Sequence, residues 1–202
     1  SSAASDVYKR QPDSKPFCFA VCTAGDSIGK TIDTLNKSLR ANLQLQAMGI
    51  SQPDSTYSLI MPESYVGLPF MDVDPSEKEK RKKEKAAQQL KAICEDLRER
   101  KTGISHLTEG PLPWFFTHVV GGFFEHVLIT DKRFHVVEER CVKCGICANV
   151  CPVGDISGGK GKKPVWLHHD DCLTCFSCYH HCPHHAIEFG RQTQKKGQYY
   201  YK

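Results

Sequence analysis

The chain has 202 residues, of which 40% are apolar and 25% are charged, a composition typical of a soluble globular protein with one or two domains. Its formal net charge of +4 counts every cysteine as neutral, so charge gives little reason to expect a nucleic-acid partner. Most of the 11 cysteines lie too close together and too regularly for a secreted disulfide scaffold, which excludes that class and favours a reducing compartment, the cytoplasm.

Residues 1–11 are set aside before the fold is considered. Residues 6–11 resemble the translation of an adapter used to build sequencing libraries, and the alternative is a disordered leader rich in serine and alanine. The first interpretation predicts that the natural chain is truncated at its N-terminus in this sequence.

The next part of the chain predicts one unit of an α/β sheet. The apolar run at residues 17–21, with turn residues on both sides, predicts a buried strand of a parallel sheet. A helix should follow, because four apolar residues share one face: Ile28, Ile32, Leu35 and Leu39. Asp26 or Ser27 can cap its start and Asn42 its end, and residues 43–51 are predicted as a second strand. This unit is too small to form a core alone, so we expect further strands upstream.

Residues 74–131 are predicted to form a helical connector. Asp74 and Pro75 provide a helix start, and an apolar stripe continues to Leu97 before Gly103 ends the helix. The stripe consists of Ala86, Ala87, Leu90, Ile93, Cys94 and Leu97. The charged residues of the first turns are typical of a solvated helix face with i,i+4 ion pairs, and a docking or nucleic-acid site is the alternative.

Residues 111–129 are the most apolar segment of the chain. Proline, glycine, histidine and glutamate interrupt it, which leaves fewer than the roughly 20 apolar residues that a membrane span needs. We therefore expect a buried connector packed beneath the C-terminal module and no membrane span. Peripheral membrane contact is the alternative.

Eight of the 11 cysteines form two copies of the pattern Cys-x2-Cys-x2-Cys-x3-Cys-Pro. The first copy is Cys141, Cys144, Cys147 and Cys151, and the second is Cys172, Cys175, Cys178 and Cys182. Three thiolates at two-residue spacing can surround one iron–sulfur cube, whereas the fourth cannot reach the same cube. A zinc ribbon needs only pairs of Cys-x2-Cys, so a zinc-stabilised interaction module is a minor alternative. The pattern predicts two [4Fe-4S] clusters.

This pattern, with a proline after each fourth cysteine, resembles the bacterial two-[4Fe-4S] ferredoxins of the clostridial type. The resemblance implies that each fourth cysteine crosses to the other cluster. The implied ligands are Cys141, Cys144, Cys147 and Cys182 for the first cluster, and Cys172, Cys175, Cys178 and Cys151 for the second. Redox proteins are the implied partners, and two filled clusters would bring the net charge close to zero, which further weakens a nucleic-acid role.

Residues 16–202 are also similar to a family of anaerobic bacteria in which a flavodoxin-like domain precedes a two-cluster ferredoxin. The matching stretches are residues 19–25, 61–65, 164–166 and 195–200. The resemblance implies a flavodoxin-like sheet that binds flavin mononucleotide (FMN) at the carboxyl ends of its strands. The residues implied beside the flavin are Thr23, Ala24, Gly25, Asp26 and Ser27. The phosphate-binding loop is missing from the sequence, so FMN is expected only in the full-length protein. Without the resemblance, Gly25 and Asp26 are equally well explained as a turn and a helix cap.

Smaller features of the sequence concern the surroundings of the clusters. Gly145 is expected to let the backbone pack against the first cluster, whereas Phe176 occupies the matching place in the second run. Six histidines are predicted to be surface or supporting groups rather than metal ligands: His168, His169, His180, His181, His184 and His185. The three remaining cysteines are predicted to be small buried apolar residues: Cys18, Cys22 and Cys94.

The predicted fold class is α+β, with three parts after the leader. Residues 12–73 are the C-terminal part of a flavodoxin-like domain, residues 74–131 the connector and residues 132–202 the two-cluster ferredoxin domain. The predicted function is transfer of single electrons through two [4Fe-4S] clusters, coupled to a flavin in the intact protein. The alternative is a flavin and iron–sulfur oxidoreductase that acts on a small substrate. No nucleophile or acid–base pair is apparent, which favours an electron carrier over an enzyme.

Overall fold

The computed structural model describes residues 15–124 and 129–201, so the predicted adapter or leader at residues 1–11 lies outside the described residues. The chain forms two units. The first comprises residues 15–60 and 84–117, and the second comprises residues 61–83, 118–124 and 129–201. Each unit has its own sheet structure and is described separately below.

The first unit contains a parallel sheet of three strands in the order β1-β2-β3. These are β1 (Phe19–Ala24), β2 (Ser55–Ile60) and β3 (Ile104–His106). The predicted parallel arrangement is confirmed, but the prediction that the first strand is buried is wrong. Exposure alternates along β1, and Phe19 and Val21, on the more exposed face of the strand, are 51% and 39% exposed. The central strand β2 is the buried one, with Tyr57 fully inaccessible.

Two helices connect β1 to β2: α1 (Thr31–Ala41) and α2 (Leu43–Ala47). The strand predicted at residues 43–51 is therefore wrong. The Asn42 amide closes α1 on the Leu39 carbonyl, and the Asn42 side chain accepts hydrogen bonds from the amides of Gln44 and Leu45, which begins α2. Leucine, glutamine and alanine favour helix, so this cap decides the local structure.

The start of α1 also differs from the prediction. The helix begins at Thr31 and has no side-chain cap, so neither Asp26 nor Ser27 takes that role. Ile28 lies before the helix, yet it is buried together with Ile32, so the predicted apolar face extends into the preceding loop.

A long helix, α3 (Ser76–Arg98), connects β2 to β3. Its buried residues are Ala86 and Ile93, and Ile93 and Leu97 pack against Tyr57 of β2. The stripe is narrower than predicted, since Leu90 is 46% exposed. The predicted i,i+4 ion pairs are confirmed; they are Lys78 with Asp74 at 2.7 Å and Lys83 with Glu79 at 3.3 Å.

Residues 74–131, the predicted helical connector, also contain β3 and a helical segment with a π-helical middle. This segment consists of Pro113–Phe115, Phe116–Val120 and Gly121–Phe123. Its predicted burial is wrong, because Trp114 is 63% and Phe123 60% exposed. A short helix can bury only one stripe, and here apolar residues occur on all sides. Among residues 15–124 and 129–201, no helix is long and apolar enough to cross a membrane.

The second unit contains two antiparallel strand pairs and two short helices. Strand β4 (Phe134–Val136) pairs with β7 (Ile187–Phe189), and β5 (Ile156–Gly159) pairs with β6 (Lys162–Trp166). The helices are α4 (Ile146–Asn149) and α5 (Ser177–His180), one in each cysteine run. The sequence predicts strands at residues 134–137, 165–167 and 187–189, and β4, β6 and β7 confirm them, whereas β5 is an additional strand.

The two halves of this unit repeat each other in backbone as well as in sequence. The first strand of each half pairs with the last strand of the other half, since β4 pairs with β7 and β6 with β5. Three pairs of equivalent residues have a positive φ in both halves: Lys143 and Thr174, Gly145 and Phe176, and Gly154 and His185. This exchange of strands brings the end of one half to the beginning of the other.

Phe176 lies at the centre of the aromatic core of this unit. It is 1% exposed and its ring contacts those of Phe134, Phe189 and Tyr65, with centroids 5.1 to 5.3 Å apart. The equivalent Gly145 lines the first cysteine pocket, as expected for a residue beside the first cluster, and it also lies close to a neighbouring hairpin. A Cβ atom there would lie 2.7 Å from the Gly159 carbonyl carbon, so the glycine permits packing against the β5–β6 hairpin.

Candidate metal centres

The first cysteine run borders a small pocket of about 20 Å³. Its lining includes the three closely spaced cysteines of that run and one cysteine of the second run: Cys141, Cys144, Cys147 and Cys182. A 3-10 helix at Glu138–Arg140 leads into Cys141, and the left-handed Gly145 turns the chain into α4, which carries Cys147. Cys182 arrives from the turn after α5.

The second run borders an equivalent pocket of about 20 Å³. Its cysteines are Cys172, Cys175, Cys178 and Cys151. The strand exchange explains this grouping, because Cys151 precedes β5 and β5 pairs with β6, the strand that leads into the second run. Each set implied by the ferredoxin resemblance thus lines one pocket, three cysteines from one half and one from the other.

Each pocket offers four cysteine thiols, the number that a [4Fe-4S] cluster takes as ligands. All 11 cysteines are free of disulfides. Within residues 15–124 and 129–201, no group of three or more His, Cys, Asp or Glu side chains is arranged to hold one metal ion. Four sulfurs around one zinc would lie about 3.8 Å apart, whereas a cube with one thiolate on each iron spreads them further. The donor set fits [4Fe-4S] clusters.

Burial of the cysteines is consistent with this fit. Cys147, Cys178 and Cys182 are buried, while Cys144 and Cys175 are exposed. Burial raises the pKa of the Cys178 thiol, and the neighbouring Cys175 and Cys172 raise it further. Burial likewise raises the pKa of Cys147, which also interacts with Cys182 and Cys144. Bound iron would supply the positive charge that holds such thiols in their deprotonated form.

Backbone amides donate to one cysteine sulfur at each pocket. The Ala186 amide lies 3.2 Å from Cys182 Sγ, and the Thr174 amide 3.4 Å from Cys172 Sγ. Thr174 is 2% exposed, and its hydroxyl accepts from the Thr130 amide at 2.8 Å, which fixes the turn. N–H to sulfur bonds stabilise thiolate charge and raise the reduction potential of a cluster.

Two buried carboxyl groups beside the second pocket were not apparent from the sequence. Asp155 lines this pocket and is 3% exposed, and Asp131 is 4% exposed. Burial and the nearby Asp131 raise the pKa of Asp155, and His168 Nδ1 lies 2.7 Å from Asp131 Oδ2. These three residues are far apart in sequence and belong to no motif, so spacing could not reveal the group.

The histidines near the second run support the fold. His180 is 5% exposed; its Nε2 donates to the Ser64 carbonyl at 2.7 Å and its Nδ1 accepts from the Tyr199 amide at 3.2 Å. Burial lowers the pKa of His180, which favours this neutral form. The His181 ring stacks on Tyr200 with centroids 4.2 Å apart.

The residues implied beside a flavin lie at the carboxyl end of β1. Thr23 and Ala24 end the strand, and Gly25, Asp26 and Ser27 form the loop that follows. The Ile28 amide donates to the Thr108 carbonyl at 2.9 Å, which joins this loop to the segment after β3. The loops after two parallel strands therefore meet at one edge of the sheet. The other unassigned cysteines, Cys18, Cys22 and Cys94, are only partly buried.

Comparisons with known proteins concern the cysteine-rich part of the chain. Residues 136–187 match the family model of the 4Fe-4S dicluster domain. A ferredoxin of Streptomyces griseus is 33% identical over 70 residues, which are 34% of this chain and 65% of that protein. A ferredoxin of Megasphaera elsdenii is 54% identical over 28 residues, 14% of this chain and 52% of that protein.

A third relative has no assigned function. It is an uncharacterized protein from the rpl9–rpl11 intergenic region of Porphyra purpurea, 34% identical over 53 residues, 24% of this chain and 71% of that protein. The chain covers less than two thirds of the length of either ferredoxin. No solved structure matches the chain significantly.

Proposed function

We propose that this chain, which contains a ferredoxin-type 4Fe-4S dicluster domain at residues 136–187, carries single electrons through two [4Fe-4S] clusters. One observation carries the proposal: each pocket is lined by three cysteines of one run and by the fourth cysteine of the other. A single zinc ion or a disulfide network would not require this exchange.

The proposed ligands divide between the two pockets. The first cluster is held by Cys141, Cys144, Cys147 and Cys182, and the second by Cys172, Cys175, Cys178 and Cys151. When bound, the clusters supply reversible one-electron chemistry. The buried cysteines keep water away, and the amides of Ala186 and Thr174 stabilise the thiolates that they contact.

The arrangement suits passage of electrons through the domain. Cys147 of the first set interacts electrostatically with Cys178 of the second, so the two sets approach each other in the interior. Cys144 and Cys175 are exposed, one in each set. We assign these two exposed cysteines to the positions where redox partner proteins exchange electrons with the domain.

The coupling to a flavin belongs to the same proposal. In the full-length protein, a flavodoxin-like domain would bind FMN beside Thr23, Ala24, Gly25, Asp26 and Ser27. The support is the parallel sheet of the first unit and the meeting of its loops at the carboxyl edge. We also propose a cytoplasmic location, because cysteines that hold clusters must stay reduced.

The exchange of fourth cysteines can be tested with single substitutions and electron paramagnetic resonance of the reduced protein. Cys182→Ala should alter the same cluster signal as Cys141→Ala. It should not change the signal that Cys172→Ala alters. Conversely, Cys151→Ala should reproduce the effect of Cys172→Ala. If Cys182→Ala matches Cys172→Ala instead, the proposed ligand sets are wrong.

A further inference from the structure

The two cysteine pockets differ in the charge of the residues that line them. Arg140, Lys143 and His184 line the first pocket, and none of its described lining residues is Asp or Glu. Among the described residues of the second pocket there is no Lys, Arg or His, and Asp155 is the acidic one. The lining of the first pocket is therefore the more positive of the two.

Three exposed lysines lie close to the first pocket: Lys143, Lys160 and Lys162. Lys143 directly precedes the exposed Cys144, and its carbonyl accepts a hydrogen bond from the Gly161 amide at 2.8 Å. Lys160 and Lys162 flank Gly161 in the turn of the β5–β6 hairpin. This hydrogen bond therefore holds the hairpin turn, with both of its lysines, beside Lys143.

The acidic residues near these lysines do not cancel their charge. Glu138 forms an ion pair with Lys163 and also interacts with Lys143. Glu139 is exposed in the same 3-10 helix. Four lysines and two glutamates thus leave this region with an excess of positive charge. By contrast, residues 164–190 contain no Lys or Arg.

An exposed apolar side chain lies next to the lysines. Val142 is 59% exposed and precedes Lys143 and the exposed Cys144. Apolar residues bordered by charged ones are typical of surfaces through which proteins bind each other. A nucleic acid would be attracted by the lysines but would gain little from an exposed valine. We name this surface the lysine face; it consists of Val142, Lys143, Cys144, Lys160 and Lys162.

We propose that the lysine face docks a one-electron redox protein whose own redox centre is bordered by carboxylates. The inference rests on the proposed function, because Cys144 is the exposed ligand of the proposed first cluster. Attraction between lysines and carboxylates speeds the encounter and orients the partner. In each encounter one electron passes from the reduced cluster to the partner, so the cluster is oxidised and the partner is reduced.

The test compares two haem proteins of opposite surface charge as electron acceptors. Cytochrome b5 has carboxylates around its exposed haem edge, whereas cytochrome c has lysines there. The reduced chain is mixed anaerobically with each ferric cytochrome in a stopped-flow instrument, and the haem absorbance gives the second-order rate constant. Between about 50 mM and 500 mM salt, we expect the rate constant to fall about tenfold with cytochrome b5 and to stay level or rise with cytochrome c.

Reversal of charge on the lysine face should reverse the preference for the two cytochromes. The combined variant Lys143→Glu, Lys160→Glu and Lys162→Glu should, at about 100 mM salt, lower the rate constant with cytochrome b5 about tenfold and raise it with cytochrome c. A changed cluster potential would move both rate constants in the same direction, so opposite changes report on docking. Lys160→Glu alone, in the hairpin turn outside both cysteine runs, should shift the ratio of the rate constants in the same sense.

A matched control changes the same amount of charge elsewhere. Lys80, Arg81 and Lys85 are exposed on α3 and line neither cysteine pocket. Their combined replacement by glutamate should alter the ratio of the two rate constants by less than about threefold, because salt screens distant charges. Equal changes of this ratio in the two triple variants would contradict docking at the lysine face.

The remaining outcomes separate this inference from the proposed function. Iron content is determined on every preparation. A chain with its full iron in which the lysine variants change both rate constants alike overturns the lysine face and leaves the two-cluster function intact. Binding of a single-stranded DNA of 20 thymidines that the lysine variants abolish, with unchanged cytochrome rates, would assign the face to nucleic acid and also overturn the inference. A wild-type chain with fewer than four irons overturns the proposed function and, with it, the inference.

Discussion

Gly145 and Phe176 show how one backbone conformation serves different purposes at the residue scale. Both residues have a positive φ and precede a short helix, in equivalent places of the repeat. Glycine adopts this conformation without strain, whereas phenylalanine does so at a cost. The buried aromatic contacts of Phe176 offset that cost, and the close hairpin backbone requires the glycine.

The requirement for glycine can be measured with a matched pair of substitutions. Gly145→Ala introduces a Cβ atom 2.7 Å from the Gly159 carbonyl carbon, whereas Gly154 has a similar positive φ and open space around it. Gly154→Ala should lower the free energy of unfolding by about 1 kcal/mol, from backbone strain alone. Gly145→Ala should lower the free energy of unfolding by about 2 kcal/mol more than Gly154→Ala does, because the added atom overpacks the site. Anaerobic urea unfolding gives both values, and equal effects would contradict the close approach.

Asp74 provides a test of pH dependence. Burial by itself raises the pKa of Asp74, but hydrogen bonds from Lys78, Lys82 and the Glu63 amide lower this pKa by a larger amount, so that it is about 2. A carboxyl whose pKa is lowered by folding stabilises the fold at every pH above its pKa in the unfolded chain, which is near 3.8. This stabilisation is lost as the pH falls towards 2. Asp74→Asn should therefore cost about 2 kcal/mol, equally at every pH between 5 and 8.

The measurement is urea unfolding of the wild-type chain and of the Asp74→Asn variant at several pH values in this range. Glu77→Gln is the control, because Glu77 is exposed at the start of the same helix. A destabilisation that halves between pH 8 and 5 would assign the effect to another titrating group.

At the scale of elements, strand β7 is tied to the first cysteine run by a buried charge. Glu188 is inaccessible to solvent; its carboxylate lies 2.6 Å from the Arg140 guanidinium and accepts from the Thr193 hydroxyl at 2.5 Å. Arg140 directly precedes Cys141, so this ion pair holds the beginning of the run against β7.

Removal of the Glu188 carboxylate should be strongly destabilising. Glu188→Ala leaves Arg140 without its partner in a partly buried place, which we expect to cost about 3 to 5 kcal/mol of unfolding free energy. Glu139→Ala, at an exposed position of the adjoining 3-10 helix, should cost less than about 0.5 kcal/mol. Comparable losses in the two variants would show that the ion pair contributes little.

The sequence predicted some elements well and others badly for identifiable reasons. Fixed cysteine spacing and the turn residues around it specify the second unit, because each element there is short and bounded by its neighbours. The parallel sheet was also predictable, but residues 43–51 were not, since the Asn42 side chain begins a helix there. The exposure of Trp114 and the group around Asp155 depend on tertiary arrangement, which leaves no periodic signal.

At the scale of the whole molecule, residues 61–83 belong to the second unit together with the cysteine-rich part. Val66 is fully buried in the aromatic core, and Lys196 Nζ donates to the carbonyls of Val66, Leu68 and Met71. The predicted domain limits remain predictions, but these contacts make the stretch before α3 part of the fold that surrounds the cysteines.

Lys196 offers a test of that attachment. Lys196→Met keeps the aliphatic length and removes three charge-assisted hydrogen bonds, so it should lower the free energy of unfolding by about 2 kcal/mol or more. Lys195→Met, at the exposed neighbouring position, is the control and should have little effect. Hydrogen exchange should show faster exchange in residues 61–73 of the Lys196 variant alone. Unchanged exchange there would contradict the attachment.

The central claim is that two sets of four cysteines hold two iron–sulfur cubes. Its most direct test is anaerobic purification of the chain followed by determination of iron, acid-labile sulfide and the electrons taken up on reduction. The account predicts about eight irons, about eight sulfides and two electrons per chain. A colourless protein with stoichiometric zinc, or one with fewer than four irons after reconstitution, would contradict it.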